Sequence, residues 1–287
     1  LLTDPWEWCV DSDSGRLLLM LPEGASPVDA GAEEVVEAKA RRTAIDLSGR
    51  AHVQLVGLHF CGGGLRSDAE SRDLRLERLH GRYVAHSYAQ DRSEDAVLID
   101  GENHIVRECD FGYSSGSVVR VAGRRHKVLG NLLHHGDYTG LRRGTMSVTG
   151  RNQVVAHNTV RYSGRDLLSI HGLTESLIEH NDLSFAGLLT HDLGITYGHN
   201  TDFGGTIIRR NHVHDCVAAG LAEGIYFDHC SHNVIVCENL IWNIPAMPIQ
   251  VNNPGHFNLI AHNSCYRTNT VREAIHGTGP GHFCLWG

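Results

Sequence analysis

The stretch Val154-Val155-Ala156-His157-Asn158-Thr159-Val160 contains the unit that decides the fold. A short apolar strand leads into a polar pair that ends in Asn, and further apolar residues follow. The unit recurs downstream and upstream as Val128-Leu129-Gly130-Asn131-Leu132-Leu133, Leu177-Ile178-Glu179-His180-Asn181-Asp182-Leu183, Ile207-Ile208-Arg209-Arg210-Asn211-His212-Val213, Ile235-Val236-Cys237-Glu238-Asn239-Leu240-Ile241 and Leu259-Ile260-Ala261-His262-Asn263-Ser264. A further copy, Ile105-Val106-Arg107-Glu108-Cys109-Asp110-Phe111, has Asp110 as its marker instead of Asn.

The spacing of these markers indicates what kind of repeat this is. Successive markers lie between 21 and 30 residues apart. Helical repeats keep tighter lengths, whereas a β-solenoid needs only its short strands to stack and lets the connecting turns vary. At such a turn, the Asn amide can bond to the equivalent Asn in the coils above and below. The sequence therefore predicts an all-β chain folded as a right-handed parallel β-helix.

The first part of the chain reads differently. Trp6-Glu7-Trp8-Cys9-Val10-Asp11, the turn Asp13-Ser14-Gly15 and Arg16-Leu17-Leu18-Leu19 are typical of a β-hairpin. A hairpin at the end of a solenoid covers an exposed sheet edge. We therefore expect residues 1–42 to form an N-terminal β-hairpin cap and residues 43–287 to form the β-helix.

Composition limits the partners. The 287 residues carry a formal charge of −8, and the Arg residues are scattered, which argues against nucleic acid because a phosphate-binding surface needs a basic stripe. No apolar run is long enough for a membrane span. The chain opens without Met, so we expect a fragment or a processed form. A secreted or periplasmic location is expected, although no signal is visible in this sequence.

Cysteine and histidine raise the question of metals. The eight cysteines contain no CxxC pair, which argues against a structural zinc site or a disulfide framework. Many of the 21 histidines stand next to the Asn of the repeat, and the repeat explains them better than ligation does. We expect no metal and no cofactor.

Each repeat has a second apolar strand after its longest loop, and this strand positions the candidate chemistry. Side chains alternate between core and solvent along a strand. With the apolar residues inward, one outward column should hold Arg120, Ser147, Ser169, Thr196, Tyr226 and Gln250. The next column should hold His171, Gly198, Asp228 and Asn252. In this register Gly198 leaves a notch between His171 and Asp228, which lie roughly 10 Å apart.

Three carboxylates near these strands are the candidate catalytic residues. Asp192 leads into one strand among small residues, Glu223 opens the strand of the next coil, and Asp228 ends it. By register Asp192 lies nearer Glu223 than Asp228. A pair of carboxyl groups on neighbouring coils is the equipment of a glycoside hydrolase.

The loops and strand ends around the carboxylates supply candidate substrate-binding side chains. Aromatic rings offer faces to sugar C–H groups, while Arg, Asn and Asp address hydroxyls. The predicted set is His171, Tyr197, Tyr226, Asp202, Arg142, Arg143, Tyr138 and Asn252. The expected partner is a polysaccharide or oligosaccharide.

The stretch from Ser169-Ile170-His171-Gly172 through Thr190-His191-Asp192-Leu193-Gly194-Ile195-Thr196-Tyr197 to Gly224-Ile225-Tyr226-Phe227-Asp228 resembles the right-handed β-helix proteins of polysaccharide-degrading bacteria. Within them the chain looks most like glycoside hydrolase family 141, a group associated with fucosidase and xylanase activities. The opening Trp6-Glu7-Trp8 segment also resembles the part that precedes the helix in that family. The resemblance implies a catalytic pair on neighbouring coils, which maps onto Asp192 and Asp228.

Two other functions fit the same scaffold. A polysaccharide lyase or epimerase would use a base such as His171 or Tyr226 on a uronate held by Arg142, Arg143 or calcium. A non-catalytic glycan-binding module would leave the carboxylates as solvated loop groups. The acidic balance of the chain favours the hydrolase, because a uronate demands a cationic groove.

Overall fold

The computed structural model describes residues 2–22, 39, 41–86, 95–141, 143–268, 275–277 and 283–285. The chain divides into two compact units, Leu1–Ala40 and Arg41–Gly287. All regular elements in the described residues are strands. None of the described residues forms a helix with the length and apolar character that crossing a membrane requires.

The first unit contains the predicted antiparallel hairpin. Strand β1 (Trp8–Asp11) pairs with β2 (Arg16–Leu19). The Asp11 carboxylate accepts hydrogen bonds from the Ser14 hydroxyl and the Asp13 amide, and Gly15 takes the left-handed φ of +67° that the tight turn needs. The hairpin is confirmed, and its role as a cap stays a prediction.

The second unit is a parallel β-helix, because each coil contributes one strand to each of three parallel sheets. Sheet A comprises β3 (Thr43–Asp46), β6 (Gly64–Arg66), β9 (Val97–Ile99), β12 (Val119–Val121), β15 (Met146–Val148), β19 (Leu168–Ser169), β23 (Leu193–His199), β26 (Ala222–Asp228), β29 (Ile249–Val251) and β32 (Ile275–Gly277). Sheet B comprises β4 (Gln54–Val56), β7 (Arg75–Glu77), β10 (Ile105–Arg107), β13 (Lys127–Leu129), β17 (Val154–Ala156), β21 (Leu177–Glu179), β24 (Asp202–Arg209), β27 (His232–Cys237), β30 (Leu259–Ala261) and β33 (Phe283–Leu285). Sheet C comprises β5 (His59–Cys61), β8 (His80–Ala85), β11 (Asp110–Ser114), β14 (Leu132–Gly136), β18 (Thr159–Ser163), β22 (Asp182–Ser184), β25 (His212–His214), β28 (Leu240–Ile244) and β31 (Ser264–Thr268). Two short strands, β16 (Gly150–Arg151) and β20 (Leu173–Thr174), pair outside these sheets.

The core is built from inward side chains that stack in register from coil to coil. In a parallel pair equivalent residues lie beside each other, so one apolar position per repeat becomes a continuous column. In sheet B this column is almost wholly buried and comprises Val106, Val128, Val155, Ile178, Ile208, Val236 and Ile260. Aliphatic stacking of this kind favours a register in which equivalent residues of successive coils lie beside each other.

The repeated Asn forms a buried ladder between sheets B and C, as the sequence predicts. Asn158 Nδ2 donates to Asn181 Oδ1 at 2.9 Å, and Asn181 Nδ2 donates to Asn211 Oδ1 at 2.9 Å. The same bond joins Asn131 to Asn158, Asn211 to Asn239, and Asn239 to Asn263. The rungs from Asn131 to Asn239 therefore link their coils through buried side chains, and Asn263 on the last rung is partly buried.

The ladder corrects the first marker of the repeat. Asp110 pairs with Leu132, so Asn131 is equivalent to Cys109 and not to Asp110. The Cys109 amide donates to Asn131 Oδ1 at 2.9 Å. Asp110 instead faces outward and holds Arg82 in an ion pair. The sequence pattern predicts the marker one residue too late, because Cys109 occupies the position of the Asn and a polar residue, Asp110, follows it.

A second buried ladder lies where sheet A turns into sheet B, and it accounts for two histidines. The His104 amide donates to His126 Nδ1 at 2.9 Å, and the His126 amide donates to Gln153 Oε1 at 2.8 Å. The two rings stack with centroids 4.6 Å apart. Burial lowers the pKa of both histidines, that of His126 to about 4. The two neutral rings therefore bind backbone groups of the turn between sheets A and B.

Candidate active site

The candidate site lies on the outer face of sheet A, on strands β23 and β26. Tyr197 pairs with Tyr226 and His199 pairs with Asp228. Stacked parallel strands lie about 4.8 Å apart, so paired outward residues come into contact. The Tyr197 and Tyr226 ring centroids are 5.3 Å apart.

The register differs from the predicted one by a single residue on β23. Tyr197, and not Thr196, occupies the outward column, because Tyr197 pairs with Ser169 and Tyr226. Thr196 pairs with the core residues Leu168 and Ile225 and is 1% exposed. Regular alternation fails at the start of β23, since neighbouring Ile195 and Thr196 are both buried, and a one-residue error moves every later side chain to the other face.

The predicted notch at Gly198 is therefore wrong. A Cβ atom at Gly198 would lie 2.6 Å from Phe203 Cζ and 3.4 Å from Ile170 Cγ1, so Gly198 faces the core. The outward position between His171 and Asp228 belongs to His199. An imidazole, and not a gap, therefore lies next to the Asp228 carboxylate.

Asp228 is held by donors on three sides. Tyr197 Oη donates to Oδ2 at 2.8 Å, Asn252 Nδ2 donates to Oδ1 at 2.8 Å, and His229 contributes its backbone amide and Nδ1, each at 2.9 Å. Partial burial would raise the pKa of Asp228, but the hydrogen bonds from His229, Asn252 and Tyr197 outweigh burial and hold it well below its usual range. Asp228 is thus an ionised carboxylate of fixed orientation.

Glu223 has the opposite electrostatic environment. Its side chain is buried, and Oε2 makes no hydrogen bond within the described part of the chain. Burial and the nearby charges of Asp192 and Asp228 raise the pKa of Glu223 to about 7. Its carboxyl group is therefore largely protonated under mildly acidic conditions. One face of the helix thus combines a protonated and an ionised carboxyl group.

Tyr226 lies among these carboxylates. Its hydroxyl accepts a hydrogen bond from Asn252 Nδ2 at 3.1 Å. Burial raises the pKa of the Tyr226 phenol, and the charges of Asp228 and Glu223 raise it further. The phenol therefore stays neutral at the pH values at which the neighbouring carboxylates titrate.

Asp192 is exposed and lies at the entry to β23. Its amide donates to the Leu221 carbonyl of the next coil at 2.5 Å, and its carbonyl accepts a hydrogen bond from the Arg165 guanidinium. The charge of Asp192 raises the pKa of Glu223 more than that of Asp228 does, as expected from the register. Of these two carboxylates, Asp192 therefore acts more strongly on Glu223.

Arg165 lies behind the Tyr197 ring, and no pattern in the sequence predicts its role. The side chain is 4% exposed and pairs with Asp166 through an Nη1–Oδ2 distance of 3.0 Å. Its guanidinium carbon lies 5.1 Å from the centroid of the Tyr197 ring. Arg165 thus backs the ring whose hydroxyl binds Asp228, and cation–π attraction stabilises this stacking.

An open pocket of about 430 Å³ adjoins Asp228 and is lined by His171, Gly172, Tyr197, His199 and Asn200. The His171 ring meets the Tyr197 ring edge-on at 5.1 Å between centroids. His171, Tyr197, Tyr226 and Asn252 are therefore brought together around the carboxylates. His199 and His229 lie beside the same carboxylate, Asp228. The sequence identifies His199 as a neighbour of Asp228 only if the register of β23 is known.

The other predicted substrate-binding residues lie elsewhere. Asp202 is on β24 of sheet B, where its carboxylate accepts hydrogen bonds from Asn233 and the Gly204 amide. Tyr138 follows β14 of sheet C and lies near His86. Arg143 is exposed on the loop before β15, and its carbonyl accepts a hydrogen bond from the Ser117 hydroxyl. Arg142 lies outside the described residues.

A second buried carboxyl group lies in the loop after β14. Asp137 is 0% exposed, and its Oδ1 accepts the Leu141 amide at 3.0 Å, whereas Oδ2 makes no hydrogen bond in the described residues. Burial and the neighbouring charge of Asp166 raise the pKa of Asp137 to about 7. Ionisation of Asp137 must therefore weaken the fold.

We expect Asp137→Asn to make stability less dependent on pH. A carboxyl group whose pKa is raised in the folded state stabilises the fold while it is protonated and loses that contribution as the pH rises through the folded value. The wild type should therefore lose about 2 kcal/mol more of its free energy of unfolding than Asp137→Asn between about pH 5 and pH 8. Urea denaturation at both pH values measures this difference.

Exposed Glu175, which is paired with Arg151, provides the control. Glu175→Gln should follow the wild-type pH profile over this range. Parallel profiles for wild type and Asp137→Asn would contradict the assignment of a protonated Asp137.

Comparison with known proteins supports the architecture. Residues 91–266, more than half of the 287-residue chain, match the family model described as right handed beta helix region. The sequence has no significant match among curated proteins.

Two solved structures are similar in fold. The periplasmic alginate epimerase AlgG has a TM-score of 0.46 at 17% identity, covering 73% of this chain and 57% of the epimerase chain. The catalytic unit of a GH87 alpha-1,3-glucanase from Streptomyces thermodiastaticus has a TM-score of 0.43 at 11% identity, covering 83% of this chain and 63% of the glucanase chain. The present chain thus spans about three fifths of each.

The family match and the stacked three-sheet coils lead to one conclusion: the chain belongs to the right-handed β-helix family.

Proposed function

We propose that the chain is a glycoside hydrolase that cleaves a neutral polysaccharide on the outer face of sheet A. The observation that carries the proposal is that strand β26 holds both buried Glu223, whose Oε2 makes no hydrogen bond in the described residues, and the firmly held carboxylate of Asp228. Glycosidic cleavage requires such a pair, one carboxyl group to donate a proton and one carboxylate to act as base or nucleophile.

The roles follow from the surroundings of each group. Glu223, whose pKa burial raises to about 7, donates its proton to the glycosidic oxygen as the bond to the sugar breaks. Asp228 stabilises the positive charge that develops on the sugar ring. It then either attacks the anomeric carbon or removes a proton from the water that attacks this carbon. Asp192 keeps Glu223 protonated through its negative charge.

The charge of the site favours an uncharged sugar. The charges of Asp192 and Asp228 act on Glu223, whereas Arg165 is buried against Tyr197 and paired with Asp166. This acidic surface would repel a uronate carboxylate. A location outside the cytoplasm, in the periplasm or secreted, accords with a polymeric substrate.

A second candidate is a polysaccharide lyase or epimerase. His171 and Tyr197 contact each other at the wall of the pocket, and an imidazole beside a phenol can remove and return the proton α to a uronate carboxylate. A lyase would release an unsaturated uronate, and an epimerase would change the uronate stereochemistry without cleaving the chain.

Product analysis on a panel of neutral and acidic glycans tests the proposal. We expect new reducing ends on a neutral glycan, no ultraviolet absorbance from an unsaturated product, and a loss of at least about 100-fold in Asp228→Asn. Glu238→Gln provides the matched control, because Glu238 is half exposed, pairs with Arg210 and lies on the turn after β27. Glycan binding without turnover, or full activity in Asp228→Asn, would overturn the proposal.

A further inference from the structure

Three potential metal ligands converge at the C-terminal ends of β23 and β26. His199 and Asp228 are a register pair, and His229 follows Asp228 directly. One ligand atom from each residue lies within 4.8 Å of the other two. The His199 and His229 ring centroids are 6.0 Å apart. The repeat architecture therefore gathers two imidazoles and a carboxylate from two coils.

We propose that His199, Asp228 and His229 form a binding site for a divalent transition-metal ion such as Zn²⁺ or Ni²⁺. Two imidazole nitrogens and one carboxylate oxygen suit these borderline ions, whereas Ca²⁺ prefers six or more oxygen ligands. A three-ligand set leaves a fourth position for water or a substrate hydroxyl. The neighbouring pocket, lined in part by His199, gives access to that position.

The geometry needs only a small adjustment to close around an ion. Ligand atoms in a tetrahedral zinc site are separated by roughly 3.3 Å, because zinc–nitrogen and zinc–oxygen bonds are about 2.1 Å long. His229 Nδ1 and Asp228 Oδ1 are already 2.9 Å apart. His199 and His229 are exposed, so rotation of their side chains can bring the third atom inward. Binding replaces the Asp228–His229 hydrogen bond with two bonds to the metal, and the proton on His229 Nδ1 moves to Nε2 or to water.

The carboxylate ligand is already oriented by its neighbours. Tyr197 Oη donates to Asp228 Oδ2, and Asn252 Nδ2 and the His229 amide donate to Oδ1. Such outer donors are the usual supports of metal-binding carboxylates, and their loss commonly weakens binding 10- to 100-fold. The site therefore has a fixed anionic ligand and two adjustable imidazoles.

Calorimetric titration of the untagged protein with Zn²⁺, Ni²⁺ and Ca²⁺ tests this proposal without any glycan. We expect one Zn²⁺ or Ni²⁺ per chain and no Ca²⁺ binding, with the Zn²⁺ affinity falling by at least about 100-fold in His199→Ala and in His229→Ala. Because only binding is measured, the result is independent of the proposed hydrolysis.

Two control variants locate the ion. His180→Ala removes an exposed histidine on the turn between sheets B and C, and Cys230→Ala removes the exposed thiol next to His229. Both should bind Zn²⁺ like the wild type. Absence of Zn²⁺ binding in the wild type, or unchanged affinity in His199→Ala and His229→Ala, would overturn the proposal.

Discussion

Glu223→Gln should lower turnover of the glycan by about 100- to 10,000-fold, because the amide cannot protonate the leaving oxygen. Gln has nearly the same shape as the protonated carboxyl group and fits the buried position of Glu223. Substrate binding should therefore change little. Steady-state kinetics on the glycan identified by product analysis would show the loss in kcat with a nearly constant KM.

The pH profile provides a second readout of the same group. Burial and the charges of Asp192 and Asp228 raise the pKa of Glu223 to about 7, so the wild-type rate should fall as the pH rises through that value. The remaining activity of Glu223→Gln should lack this alkaline decline. A purely structural role for Glu223 would not produce this difference.

Stability separates loss of chemistry from loss of folding. Because the pKa of Glu223 is raised in the folded protein, its protonated form stabilises the fold and its ionised form weakens it above about pH 7. Glu223→Gln should therefore be at least as resistant to urea as the wild type at about pH 8. Retained turnover in a well-folded Glu223→Gln would show that Glu223 is not the general acid. Asp192, the other candidate catalytic carboxylate, would then be the next residue to test as the proton donor.

The architecture could be predicted from sequence because the repeat records it directly. Six successive coils carry an Asn at the same turn, from Asn131 to Asn263, and the structure confirms that Asn158, Asn181, Asn211 and Asn239 lie one above another. The strands predicted after the variable loops all belong to sheet A. Such regularity survives irregular loop lengths because only the strands and the turn must match between coils.

The site was harder to predict because it depends on single-residue register. At β23, Ile195 and Thr196 are both buried, so counting alternate residues from Ile195 places Tyr197 and His199 on the wrong face. The same error hid His199 as a neighbour of Asp228. Nothing in the local sequence marks this break in alternation.

The sequence also did not predict which carboxyl group is buried or onto which sheet each loop leads. Asp192 stood out among the carboxylates because small residues surround it, yet it is exposed, whereas Glu223 is the carboxyl group that the fold buries. Asp202 lies close to Tyr197 along the chain, but the turn after His199 carries it onto sheet B. Sequence proximity across a solenoid corner therefore does not imply a shared face.

Asn181→Ala should lower the free energy of unfolding by about 5 kcal/mol, the largest stability change expected from a single substitution in the ladder. Asn181 Oδ1 accepts the backbone amide and Nδ2 of Asn158, and Asn181 Nδ2 donates to the Val155 carbonyl. Removing the side chain breaks these three buried bonds and a fourth, from Asn181 Nδ2 to Asn211 Oδ1, and each buried group that is left unpaired costs about 1–3 kcal/mol. Urea denaturation followed by circular dichroism measures the loss.

Asn152→Gly is the appropriate control, because Asn152 is exposed and has a φ of 58°, a conformation that Gly adopts without strain. This variant should lose less than about 1 kcal/mol. If Asn181→Ala were equally mild, the ladder would be a by-product of coil stacking, and the aliphatic columns alone would hold the register. A large loss confined to Asn181→Ala would show instead that the buried amides determine which coils stack, and hence that they place Asp228 beside His199 on the neighbouring coil.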